Sequence, residues 1–177
     1  MQCIEAALAG RDVFCLMPTG GGKSLVYQLP AWCCPGLAVV FSPLISLIQD
    51  QVEALLTMGI RAAYFSASKN EADNAAVFDE LYHISTGRDG GRVSDYYTTS
   101  EGGSGSQEGS IKLLYLTPEK YKNSPKMKNM LKRLYNSGKL SRYVIDEAHC
   151  LVCFLGILCP RYCTYICCQP AFLMLVV

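Results

Sequence analysis

Apolar positions along this chain fall into short unbroken runs separated by stretches with a three-to-four-residue beat. Val13-Phe14-Cys15-Leu16-Met17 is an unbroken run that stops at Pro-Thr-Gly-Gly-Gly, and it reads as a buried strand entering a glycine loop. Gly22 to Leu29 reads as a helix closed by Pro30. Leu37 to Ser42 is a second apolar strand. Leu44, Ile48, Val52 and Leu55 then recur at helical spacing across 44–58, with Gly59 as the stop. Ala62 to Ala67 predicts a third strand and Glu71 to Ile84 a helix. Lys112 to Thr117 resumes as a strand, Pro125 to Asn136 is helical, and Arg142 to Asp146 is an apolar strand that ends in Asp-Glu. Strands alternating with helices predict an α/β fold, a parallel sheet with helices on both faces. No internal repeat interrupts the series.

Two stretches leave this pattern. Thirteen of the 26 residues in 85–110 are Gly or Ser and carry no apolar periodicity, which predicts a flexible surface insertion. After His149 the only charged residue is Arg161, and six of the ten cysteines fall in the last 28 residues. That shift predicts a boundary near residue 150, with 1–150 as one domain and 151–177 as an apolar, Cys-rich tail.

Composition adds little. The 177 residues carry a net charge of +1, so global charge points to neither nucleic acid nor membrane. Half the residues are hydrophobic and 18% charged, which argues against wholesale disorder. No apolar run reaches the roughly 20 residues of a membrane span. The N-terminal stretch lacks the layout of a secretory signal, so reduced thiols in the cytosol or nucleus are expected. Tail cysteines such as Cys150-x-x-Cys153 do not have the paired spacing of a zinc ribbon.

The chemistry concentrates at two places. In Met17-Pro18-Thr19-Gly20-Gly21-Gly22-Lys23-Ser24, a glycine loop between strand and helix lets backbone N–H groups converge on phosphate oxygens. Pro18, Thr19 and the three glycines form the cradle. Lys23 reaches the β- and γ-phosphates, and the Ser24 hydroxyl is placed for Mg²⁺. The general pattern has glycine where this chain has Met17. The second place is Asp146-Glu147-Ala148-His149. Alone, Asp-Glu at a strand end is a solvated turn. Paired with the loop, it supplies an Asp for Mg²⁺ and a Glu that orients and deprotonates an attacking water, with His149 coupling ATP to another site.

These residues resemble the RecQ-type DNA helicases of superfamily 2. The match runs through Leu16-Met-Pro-Thr-Gly-Gly-Gly-Lys-Ser-Leu-Val-Tyr-Gln-Leu-Pro30 and Phe41-Ser-Pro-Leu-Ile-Ser-Leu-Ile-Gln-Asp-Gln51. It continues through Tyr115-Leu-Thr-Pro-Glu-Lys120 and Val144-Ile-Asp-Glu-Ala-His-Cys150, and Met17 is ordinary for that family. The resemblance implies an incomplete first RecA-like lobe of a nuclear 3′-to-5′ DNA helicase driven by ATP and Mg²⁺, in DNA repair and recombination. It also implies that Ser42, Pro43, Leu44, Ser46, Gln49 and Asp50, with Thr117, Pro118 and Glu119, touch the single-strand backbone. Without it, 42–50 is a helix start capped by Ser42.

The family's adenine-reading Gln falls before Met1 by count, so Gln2 receives no role. After Cys150 the aromatic loop of the family is replaced by Leu151-Val-Cys-Phe-Leu-Gly, which matches nothing. The expected consequence is a sheet that stops after the Asp146 strand, with the second lobe and its arginine finger absent from this chain. A non-catalytic nucleotide- or DNA-binding module is the alternative. Residues 120–142 hold eight basic residues and no acid, which suits phosphate tracking or, more commonly, a solvated helix face.

Overall fold

A computed structural model describes residues 1–18, 20–65, 71–87, 109–147 and 172–176. The elements in order are α1 (Gln2–Leu8), β1 (Val13–Cys15), α2 (Lys23–Cys33), β2 (Leu37–Phe41), α3 (Ile45–Thr57), β3 (Ala62–Tyr64) and α4 (Glu71–Thr86). They continue with β4 (Leu113–Leu116), α5 (Pro118–Asn123), α6 (Pro125–Asn136), β5 (Leu140–Ile145) and β6 (Phe172–Val176). The six strands form one sheet in the order β1-β6-β5-β2-β4-β3, and every pairing is parallel.

All five residues of β2 are buried, as a strand covered on both faces must be. One face packs Leu37, Val39, Phe41 and Leu114 against α4 and α6, through Val77, Leu81, Met127, Leu131 and Leu134. The other packs Ala38, Val40, Leu113 and Val144 against α1, α2 and α3, through Ala7, Tyr27, Ala31, Ile48 and Val52. The helical spacing read over 44–58 is the buried stripe of α3, Ile48, Val52 and Leu55. Leu44 instead sits 57% exposed at the N-cap.

Four expectations need correction. Pro30 does not close α2, which continues to Cys33. The ring removes one backbone donor, but Pro30 itself and Ala31 are buried against the sheet, and that packing carries the helix one turn further. The glycine- and serine-rich stretch begins later than 85, because Ser85 and Thr86 belong to α4; residues 88–108 lie outside the described residues. The short helix α5 was not foreseen, although Thr117 caps it by accepting the Lys120 N–H at 3.3 Å, with Pro118 in the first helical turn.

The largest correction concerns the tail. The sheet does not stop at the Asp146 strand. Residues Phe172–Val176 form β6, which pairs with β5 through Ile145↔Leu175 and with β1 through Cys15↔Val176. Its five consecutive apolar residues suit a strand buried in a parallel sheet. The tail cysteines up to Cys168 lie outside the described residues; Cys3, Cys15, Cys33 and Cys34 are free thiols. No helix among the described residues is long and apolar enough to cross a membrane.

Candidate nucleotide site

Parallel strands deliver their C-terminal ends, and the loops that follow, to one edge of a sheet. Here that edge carries the glycine loop after β1, Ser42 after β2, Thr117 after β4 and Asp146-Glu147 after β5. Because β6 intervenes, β1 and β5 stand two strand spacings apart, about 10 Å. The side chain of Lys23, first residue of α2, bridges this gap: its Nζ lies 3.4 Å from Glu147 Oε1.

The loop folds as the glycines require. The Gly21 N–H donates to the Pro18 carbonyl at 3.0 Å, and a Cβ on Gly21 would come within 2.9 Å of that oxygen. Gly22 has φ of +81° at the N-cap of α2, a left-handed conformation that disfavours any side chain. No side chain caps this helix, so its first N–H groups and its positive dipole end face the loop. Pro18, Gly20, Gly21 and Gly22 are exposed, Lys23 and Ser24 half-buried. Thr19 lies outside the described residues, as does His149.

Asp146 is buried beneath this loop. Its N–H donates to the Phe41 carbonyl at 2.9 Å, which continues the β5–β2 ladder, and its Oδ1 accepts the Glu147 N–H at 3.0 Å. Burial raises its carboxyl above the ordinary range. The Glu147 charge adds to the rise, while the Glu147 N–H, Lys23 and Tyr27 oppose it. Glu147 has φ of 53°, a left-handed conformation uncommon for a residue with a side chain.

Sequence reasoning missed the polar cluster behind these groups. Tyr27 of α2 is fully buried and donates its hydroxyl to Gln51 Oε1 of α3 at 2.6 Å, with Asp146 Oδ2 farther away at 3.5 Å. Gln51 Nε2 donates to Ser24 Oγ at 3.2 Å. Gln28 Nε2 reaches the Tyr115 hydroxyl at 3.1 Å. Burial pushes the Tyr115 hydroxyl up to about 12 and that of Tyr27 higher still, so both keep their protons at physiological pH. Gln51 closes the family-like segment Phe41–Gln51, but nothing local in that segment points to Ser24; only the packing of α3 beside α2 brings the two together.

The cradle and its donors fit a nucleotide with Mg²⁺. Ser24 Oγ and the Asp146 carboxylate are hard oxygen donors, the type that Mg²⁺ takes alongside waters and phosphate oxygens.

The residues expected to touch single strands divide by burial. Pro43, Leu44, Ser46, Gln49, Asp50 and Glu119 are exposed along the same edge, with Gln49 Nε2 3.3 Å from the Tyr64 hydroxyl. Ser42, Thr117 and Pro118 are buried at their base. Phe41↔Leu116 pairing sets Ser42 and Thr117 side by side, and the Ser42 N–H donates to the Leu116 carbonyl at 3.1 Å. The basic stretch is partly structural. Arg142 is buried, with Nη2 3.3 Å from Cys34 Sγ, while Lys126 lies over the Phe78 ring and Arg133 over Tyr82.

Comparison with known proteins agrees with this architecture. The chain is 43% identical over 150 residues to ATP-dependent DNA helicase Q-like 4B of Arabidopsis thaliana, covering 85% of this chain and 11% of that protein. It is 40% identical over 151 residues to the RecQ-like DNA helicase BLM of Xenopus laevis, covering 85% of this chain and 9% of that one. It thus spans about a tenth of the length of these relatives. Among solved structures, the DUF1998 helicase MrfA superposes with a TM-score of 0.65 at 16% identity, over 99% of this chain and 25% of that chain, a likeness of fold. The DEAD/DEAH box helicase model matches residues 1–153, which takes in the glycine loop, the strand-end segments and the Asp-Glu pair, and the chain belongs to that family.

Proposed function

We propose that this chain is the ATP-binding RecA-like lobe of a RecQ-type 3′-to-5′ DNA helicase, acting in the nucleus on single-stranded DNA and its junctions with duplex. The observation that carries the reading is the 3.4 Å approach of Lys23 to Glu147, which joins the glycine loop to the strand-end acid across an intervening strand.

In this reading the loop from Pro18 to Gly22 wraps the phosphates, its glycines supplying backbone N–H groups, and the dipole of α2 adds to their pull. When ATP enters, Lys23 exchanges Glu147 for the β- and γ-phosphates, which frees the carboxylate to orient and deprotonate the attacking water. Ser24 and Asp146 hold Mg²⁺, which when bound neutralises charge on the phosphoryl oxygens. His149 links the nucleotide to the DNA side. Pro43, Leu44, Ser46, Gln49, Asp50 and Glu119 line the strand path, with Ser42, Thr117 and Pro118 fixing its floor. A second RecA-like lobe supplies the remaining groups for turnover.

Binding of a fluorescent ATP analogue with Mg²⁺ tests the site. Lys23→Ala is expected to weaken binding by about 2–3 kcal/mol, the value of a charge-assisted contact. Glu147→Gln should bind as well as the unaltered chain or better, since it releases Lys23. Equal affinity in a folded Lys23→Ala protein would overturn the assignment. DNA-stimulated ATP turnover by the 177-residue chain separates a working motor from a nucleotide-binding module.

A further inference from the structure

Resting on that reading of the nucleotide site, we propose that Gln51 is a positioning residue that orients the Ser24 hydroxyl for Mg²⁺-nucleotide binding. Gln51 belongs to α3, outside the loop and outside the Asp-Glu turn. Its carboxamide nevertheless stands among three groups of the site: Ser24 Oγ at 3.2 Å, the Tyr27 hydroxyl at 2.6 Å and Gln28 Nε2 at 3.5 Å. Two donors, Tyr27 and Gln28, converge on Oε1. That leaves the NH₂ as the group that faces Ser24.

The consequence follows from the hydroxyl's inventory of one proton and two lone pairs. A donor from Gln51 occupies one lone pair. The other lone pair is then left to ligate a cation, with the Tyr27 hydroxyl beside the Ser24 O–H. Outer partners that hold a ligand's orientation in this way commonly change metal affinity about 10–100-fold when removed. Tyr27 is held by the same carboxamide, and its hydroxyl is also 3.5 Å from Asp146 Oδ2, so one side chain of α3 touches the network of both oxygen ligands. The exposed Ser46, Gln49 and Asp50 lie on the same helix, which therefore serves the strand-facing surface and the nucleotide from opposite sides.

The experiment titrates Mg²⁺ into the 177-residue chain with a fluorescent ATP analogue at pH 8, for the unaltered protein and four variants. Gln51→Glu keeps an acceptor for Tyr27 but removes the donor to Ser24. Gln51→Leu removes both. Thr57→Ala, at the far end of α3, is the control for the helix, and Lys23→Ala is the control for the loop. The expected result is a half-saturating Mg²⁺ concentration raised about tenfold or more in both Gln51 variants, with binding in EDTA close to the unaltered chain, and a lower melting temperature in Gln51→Leu, which leaves the Tyr27 hydroxyl without its acceptor, than in Gln51→Glu. Should Gln51→Leu fail to fold, Gln51→Glu alone decides. Unshifted Mg²⁺ dependence in a folded Gln51→Glu protein, while Lys23→Ala loses binding, overturns the role of Gln51 and leaves the phosphate loop standing. Unchanged binding in Lys23→Ala overturns the reading beneath it.

Discussion

The two faces of the sheet are built to different rules. The face under α4 and α6 closes chiefly on apolar side chains: Phe41, Leu114, Leu81, Leu131 and Leu134 meet at its centre, and the polar link from α4 to the sheet, Glu80 to Arg61 and the Ile111 N–H, sits at its margin. The face under α1, α2 and α3 carries a comparable apolar layer, but Tyr27, Gln51, Gln28, Tyr115 and Asp146 thread through it in one hydrogen-bonded cluster. Buried polar groups stabilise little and are costly when half-satisfied. Their gathering into one network beneath the glycine loop, where the other face has only a clamp at its margin, indicates that this face is shaped by chemistry and the other by cohesion.

The sharpest way to break the contrast is to cut each face and ask which property fails. Leu134→Ala opens a cavity among fully buried side chains and is expected to cost about 2–5 kcal/mol of stability, read by urea denaturation. Nucleotide affinity of the folded fraction should not move. A loss of affinity matching the loss of stability would erase the distinction between the faces.

A smaller effect is expected at the other edge of the sheet. There Arg61 pairs with both oxygens of Glu80 at 2.9 Å, Glu80 Oε1 also accepts the Ile111 N–H at 3.2 Å, and Arg61 donates to the Gly109 carbonyl. This clamp ties α4 to the start of β4 far from the glycine loop. Burial raises the Glu80 carboxyl, and Arg61 acts against that rise. Arg61→Ala should cost about 2 kcal/mol through the carboxylate left without its partner, again without touching nucleotide binding.

Asp146→Asn should act in the opposite sense. Folding raises the Asp146 carboxyl by burial. A carboxyl raised in this way stabilises the fold while protonated, at pH below its unfolded value, and loses that contribution as pH rises through its folded value. Near neutral pH the charge is therefore a burden on the nucleotide-free chain. Asparagine should raise the melting temperature there, by about 1 kcal/mol in stability, and the gain should shrink toward acid pH. Mg²⁺-dependent nucleotide binding should fall at the same time. A variant destabilised at neutral pH would mean that the Glu147 N–H and Tyr27 contacts outweigh burial.

The difference between the faces also explains what could be read from the sequence. The glycine loop and Asp146-Glu147 were legible because each is a local pattern at the end of an apolar run. The strands from β1 to β5 and the stripe of α3 were legible for the same reason. The contacts of Gln51 were not, because its partners are 24 and 27 residues away on another helix. Pro30 misled because a helix breaker acts locally, while the burial that overrides it is tertiary. Phe172–Val176 is a five-residue apolar run that on its own terms reads as a strand, but the charge-poor, Cys-rich composition of the tail around it masks that signal.

That last strand sets an order of events. Among the described strands β1 has a single neighbour, β6, and reaches β5 only through it. Residues 13–15 are made before every other strand of the sheet, yet their place in it opens only after residue 176 has been made. During synthesis β2, β4, β3 and β5 can pair as soon as residue 145 is free, with α4 and α6 closing over them. The phosphate loop must wait, held near the sheet by the helices that flank it until a contact some 160 residues distant in sequence is closed. A nascent chain should thus acquire its apolar face first and its capacity to hold a nucleotide last.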